Sequence, residues 1–267
     1  MARLSTRLNG IRESGGKALV AYLVAGDPTP ETTVPLMHKL VSAGADVFEL
    51  GMPFSDPEAE GPVIQQAHER ALKHKVSLSR CLAMVQEFRE VDSNTPVILM
   101  GYLNPIESMG YEAFAHAAAD AGVDGLIIVN LPPEEAGTFS DQLAELEIET
   151  VFLLAPTTTD ERAQKICQAS RGFVYYVSLK GTTGAATLDT LDVSNKMTRF
   201  RGFSELPILV GFGIKDGASA RAVADLSDGA VVGSAIVQIM GENQDDPEQL
   251  SMRVESLVKE LRLALDA

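Results

Sequence analysis

The sequence predicts an α/β fold, a TIM-type (β/α)8 barrel forming one domain over residues 1–267. Three observations point there. Eight short apolar runs alternate with amphipathic stretches along the whole chain. The length of 267 residues fits one such barrel. No low-complexity segment or long linker divides the sequence.

The runs begin at residues 18–24 (ALVAYLV), 47–50 (VFEL), 97–100 (VILM) and 125–129 (GLIIV). They continue at 151–154 (VFLL), 173–177 (FVYYV), 208–210 (ILV) and 230–232 (AVV). Each is apolar and often β-branched, as a parallel strand covered on both faces must be. Ahead of the first, Leu4, Leu8 and Ile11 recur at helical spacing and predict an extra amino-terminal helix. After it, Thr29-Pro30 is a helix-start signal, and Val34, Met37, Leu40 and Val41 mark one face. Ser234–Ile239 predicts a short helix after the eighth run, and Leu250, Val254, Leu257, Val258 and Leu261 predict a last amphipathic one. A doubly wound open sheet is the competing architecture; eight strand–helix alternations in this length favour closure.

Composition narrows the function classes. Net charge is -15, so the chain has no general attraction for nucleic acid or an anionic membrane surface, and any phosphate must be bound locally. The two cysteines, Cys81 and Cys167, form neither a disulfide framework nor a metal motif. An amino terminus without an apolar signal region, and the lack of any membrane-length apolar stretch, lead us to expect a cytoplasmic protein.

In such a barrel the chemistry sits at the carboxy-terminal ends of the strands. Glu49 interrupts the second run where an apolar residue would pack better, and strand alternation points it away from the side taken by Phe48 and Leu50. A buried carboxylate must be paired or neutral, and burial raises its pKa towards the range useful for proton transfer. A structural carboxylate inside the barrel is the competing reading. The loop that follows, residues 51–62 (GMPFSDPEAEGP), carries Asp56, Glu58 and Glu60. A second carboxylate facing Glu49 would suit a proton-shuttling reaction, although on its own the loop reads as a solvated acidic one.

Glycines gather after the sixth, seventh and eighth runs, at Gly181 to Gly184, at Gly211 and Gly213, and at Gly233-Ser234. Backbone N–H groups and a short helix's amino terminus there would form a phosphate site that needs no basic patch. His38, His68, His74 and His116 form no metal-ligand spacing and read as surface or packing residues.

The same segments resemble the tryptophan synthase alpha subunit family. Those that carry the resemblance are LVAGDP at 23–28, AGADVFELGMPFSDP at 43–57, MGYLNP at 100–105, GVDG at 122–125, LPPEE at 131–135, SLKGTTG at 178–184 and VGFGI at 210–214. The match covers essentially the whole chain, in order.

The resemblance implies a lyase that cleaves indole-3-glycerol phosphate to indole and glyceraldehyde 3-phosphate in tryptophan biosynthesis. It implies further that this subunit needs no metal or cofactor, and that indole passes to a pyridoxal-phosphate beta subunit in an alpha-beta-beta-alpha heterotetramer. It implies that Glu49 protonates indole C3 and takes the proton of the glycerol hydroxyl, while Glu60 stands where a second acid steadies the indole N–H. Thr183 would orient Glu49, with Tyr175 in support; Tyr22, Met100, Tyr102 and Tyr175 would contact the indole-bearing substrate. Gly184, Gly213, Gly233 and Ser234 would bind phosphate, and Asp56 would lie towards the beta subunit.

Three positions depart from the family pattern. Glu60 stands in place of aspartate, Glu58 in place of an apolar residue, and Asn130 in place of a common aspartate. Two alternatives follow: a free-standing indole-3-glycerol phosphate lyase, or a subunit of weakened catalysis that mainly activates its partner. A phosphoribosyl isomerase on a similar barrel is a third.

Overall fold

The alternation of runs and helices is realised in the computed structural model, which describes residues 2–177, 190–211 and 213–267. The chain opens with α1 (Arg3–Glu13), β1 (Ala18–Val24), α2 (Pro30–Ala43), β2 (Val47–Gly51), α3 (Pro62–Lys73), α4 (Leu78–Arg89) and β3 (Val97–Gly101). Next come α5 (Leu103–Met109), α6 (Tyr111–Ala121), β4 (Gly125–Ile128), α7 (Pro133–Glu145), β5 (Glu149–Thr150), β6 (Leu153–Leu154) and α8 (Asp160–Ala169). Then follow β7 (Val174–Val177), α9 (Thr190–Arg201), β8 (Ile208–Gly211), α10 (Gly217–Ala224), β9 (Gly229–Val232), α11 (Ser234–Glu242) and α12 (Pro247–Asp266).

The strands pair in parallel in the order β5-β4-β3-β2-β1-β9-β8-β7-β6. Its two ends, β5 and β6, are pieces of one stretch of chain. The fifth run was expected as one strand, and it divides because it changes partner midway. Val151 N–H donates to Leu126 on the β4 side over 3.0 Å, while Phe152 O accepts from Tyr175 N–H of β7 over 3.4 Å. The eight expected strands are therefore nine among the described residues, and the handover brings the two edges of the curled sheet together.

Alternation along the strands builds two apolar layers. Val20, Val47, Ile98, Ile127, Val151 and Leu209 turn into the ring, and Leu4 and Leu8 of α1 close it from one end. Leu19, Leu23, Phe48, Leu50, Leu99 and Val210 turn outward to the helices. That end is the amino-terminal rim of the strands. There Arg3 and Arg89 both pair with Asp124, whose other contact is the N–H of Val97 at 2.7 Å. Arg7 and Arg262 both pair with Asp46, which also accepts from Leu19 N–H at 2.9 Å. With α1 fastened there, the opposite, carboxy-terminal rim is left for the site.

The predicted start of α2 holds in position, although the Thr29 side chain makes no capping hydrogen bond to the helix. Thr29 precedes α2 with Pro30 at its first position, where a missing N–H costs nothing. Cys81 and Cys167 are free and buried, in α4 and α8. No helix among the described residues is long and apolar enough to cross a membrane.

Candidate active site

Glu49 lies on the inner side of β2, between Phe48 and Leu50, which face the helices. Its register partners are Tyr22 of β1 and Ile98 of β3. It is 1% exposed, and neither carboxylate oxygen has a hydrogen-bond partner among the described residues. Burial, and then the charge of Glu60, push its carboxyl up to about 8. A group in that state holds its proton at neutral pH.

Glu60 reaches the same space from the loop between β2 and α3. Burial pushes its carboxyl up to about 7. The loop is tied down at several points. Glu60 N–H donates to Pro57 O at 3.0 Å, and Gln65 Nε2 donates to Glu60 O at 2.9 Å. Ala59 N–H donates to the Tyr102 hydroxyl at 3.1 Å, and the Phe54 ring stacks on Tyr102 with centroids 5.0 Å apart. Phe54 N–H donates to Nδ1 of His68 at 3.1 Å.

Both carboxylates open into one cavity of about 540 Å³, counting its mouth. Of the residues expected at the site, Tyr22, Glu49, Glu60, Met100, Tyr175, Gly213, Gly233 and Ser234 line it. Tyr102 does not; it sits behind the loop, 2% exposed, with its hydroxyl turned to Ala59. Asp56 and Glu58 are exposed on the same loop, outside the cavity wall. Thr183 and Gly184 lie outside the described residues. Asn130 is exposed, and its Oδ1 accepts from Leu103 N–H at 2.8 Å, holding the first turn of α5.

Gly61, Ile64, Ile214 and Val231 also line the cavity and were not foreseen. Val231 follows from strand alternation, and Ile214 from its place beside Gly213. Gly61 and Ile64 flank the start of α3, a position the sequence marks only by Pro62.

One end of the cavity suits an anion. Gly233 precedes α11, no side chain caps that helix, and Ser234 is its first residue. Its free N–H groups and the positive end of the helix dipole therefore face the cavity. Gly213 contributes a backbone turn at φ 77°, a conformation that favours glycine. Tyr22, Met100 and Tyr175 give the remainder an aromatic and apolar wall. Among the described residues no group of His, Cys, Asp and Glu is placed to hold a metal ion.

The model of the family described as tryptophan synthase alpha chain matches residues 8–266. The chain belongs to this family. It is 55% identical to the tryptophan synthase alpha chain of Marinobacter nauticus, over 100% of this chain and 99% of that one. The alpha chain of Thioalkalivibrio sulfidiphilus is also 55% identical, covering 100% of both. The crystal structure of the alpha subunit from Legionella pneumophila superposes with a TM-score of 0.91 at 45% identity, over 100% of this chain and 99% of that one. The barrel and the family thus stand on agreement along the full length, in sequence and in shape.

Proposed function

We propose that this chain carries out the lyase half-reaction of its family, the cleavage of indole-3-glycerol phosphate to indole and glyceraldehyde 3-phosphate, with Glu49 and Glu60 dividing the proton work. What supports the division is one observation: Glu49, enclosed on its strand with neither carboxylate oxygen partnered among the described residues, shares with the loop carboxyl of Glu60 a cavity whose far end is an uncapped helix amino terminus.

Glu49, which burial and the neighbouring charge of Glu60 keep protonated at neutral pH, gives its proton to indole C3. Positive charge then develops at the indole nitrogen, and the Glu60 carboxylate accepts a hydrogen bond from that N–H. Glu49, now a carboxylate, takes the proton of the glycerol hydroxyl next to the ring. The carbon–carbon bond breaks, its electrons restore the aromatic indole, and the hydroxyl carbon becomes the aldehyde. Glu49 ends with the proton it began with, so no co-reactant is needed. Tyr22, Met100 and Tyr175 would hold the indole ring. Gly213, Gly233 and Ser234 would hold the phosphate with backbone donors, which reconciles phosphate binding with the net charge of -15.

The partner would be a beta subunit that consumes the indole and carries the pyridoxal phosphate, in an alpha-beta-beta-alpha assembly, with Asp56 on the side that meets it. The cytoplasm is the expected compartment. The experiment is indole release from indole-3-glycerol phosphate by the purified chain, alone and with a beta subunit. Indole and glyceraldehyde 3-phosphate in equal amounts, faster with the partner, are expected. No indole under either condition would overturn the reading.

A further inference from the structure

The loop that carries Glu60 has its anchor on α3. Phe54, near the start of the loop, donates its N–H to Nδ1 of His68 at 3.1 Å. The Phe54 ring lies on Tyr102 with centroids 5.0 Å apart and planes 24° apart. The Tyr102 hydroxyl accepts the N–H of Ala59, the residue before Glu60, at 3.1 Å. We propose that His68 is a positioning residue for Glu60, its imidazole fixing Phe54 and, through Phe54 and Tyr102, the loop that holds Glu60 at the cavity wall. The proposal rests on the reading of Glu60 as the group that meets the indole N–H.

His68 does not itself reach the cavity. It lies one helical turn beyond Ile64, which does, and so stands on the same face of α3 below the site. It is 2% exposed, in a place where an apolar side chain would pack without polar cost. Because Nδ1 accepts from Phe54, the ring proton belongs on Nε2, and Nε2 is buried with no partner among the described residues. A filler residue would gain nothing from that unpaired donor, which is costly when buried. The acceptor at Nδ1 is what the position supplies, and it supplies it steadily: burial holds the imidazole near 4, neutral throughout the working range.

The chemistry of the acceptor makes the idea testable. Asparagine places Oδ1 close to where histidine places Nδ1, so His68→Asn keeps an acceptor for Phe54 N–H; His68→Leu fills similar space without one. Steady-state indole release by the full chain should show kcat of His68→Leu lowered on the order of 10- to 100-fold, the scale of a misplacement of about 1 Å. KM should stay within about twofold, since the phosphate end does not move. His68→Asn should recover kcat to within about threefold of wild type. Tyr102→Phe, which removes only the acceptor for Ala59, should repeat the fall in kcat with KM retained. Thermal midpoints identify any variant that is merely unfolded, and Tyr102→Phe carries the test if His68→Leu is. A folded His68→Leu at the wild-type kcat overturns the proposal, as does His68→Asn no faster than His68→Leu at equal stability. Glu60→Gln separates the two readings. Its retaining full activity would sink the role of Glu60, whereas a slow Glu60→Gln beside a fast His68→Leu sinks only the role of His68.

Discussion

A Cβ on Gly51 would lie 2.5 Å from the Tyr22 hydroxyl and 3.0 Å from Cζ of the same ring. The last residue of β2 therefore has to lack a side chain for the Tyr22 ring to stand over the strand end. Tyr22 is in turn the register partner of Glu49, two residues before that glycine. A cavity wall and the carboxyl proposed to carry the proton are thus set by one strand ending.

Gly51→Ala is expected to push the Tyr22 ring out of place. Overpacking of this kind costs about 1–3 kcal/mol. Both the thermal midpoint and kcat should fall, and Gly51→Ala with Tyr22→Phe should recover part of each, because the nearest clashing atom is gone. A double-mutant cycle checks it; additive losses would mean that the two positions do not meet.

Stability should depend on pH through Glu49. The folded protein keeps a proton on this carboxyl up to about 8, against the usual 4.5. Between those values the unfolded chain has lost a proton that the folded one retains, so stability is greatest at the acid side of the window and drains as pH rises through it. Glu60 acts in the same direction between 4.5 and about 7. Glu49→Gln removes the largest part of that slope. Its midpoint should gain on wild type more at pH 8 than at pH 5, by on the order of 2–4 °C for each kcal/mol relieved. Calorimetry at the two pH values decides, and an equal gain at both would refute a buried titrating Glu49.

Asp27, just beyond β1, is fully buried and takes two bonds from Arg70 of α3, at 2.6 and 3.0 Å. Burial pushes the Asp27 carboxyl up, and the Arg70 bonds draw it back. Arg70→Met leaves that carboxyl alone in the interior, at a cost of about 3–5 kcal/mol. Adding Asp27→Asn should return much of the loss. Urea unfolding of the two variants measures both effects.

Ser234→Asp places a negative charge at the first position of α11, where the phosphate is expected. Two unit charges about 4 Å apart at an effective dielectric of 20 repel by about 4 kcal/mol. KM for indole-3-glycerol phosphate should rise more than about tenfold with the fold intact, and inhibition by inorganic phosphate should weaken in parallel. An unchanged KM would move the phosphate elsewhere.

Much of the candidate site was legible because the residues that line its cavity break local rules. Glu49 is a charge inside an apolar run, and Gly213, Gly233 and Ser234 follow strands at the end where barrels bind ligands. The barrel itself was legible in the alternation, apart from the fifth run, whose change of partner at Val151 and Phe152 is a long-range event with no local signature. Tyr102 was expected at the substrate through the family resemblance, in the segment MGYLNP at 100–105. The residue type does not reveal that its hydroxyl turns to Ala59, 43 residues away. His68 was read as a surface or packing residue for the same reason: an imidazole accepting a loop amide has no spacing rule to give it away.

The central claim is that Glu49 moves the proton, and Glu49→Gln tests it most directly. The substitution keeps the shape and removes the titration. Single-turnover indole release at saturating indole-3-glycerol phosphate should fall at least 10²- to 10⁴-fold, the range general acid–base catalysis supplies. Substrate binding and the thermal midpoint should remain at least at wild-type level. Release within a few-fold of wild type would contradict the account.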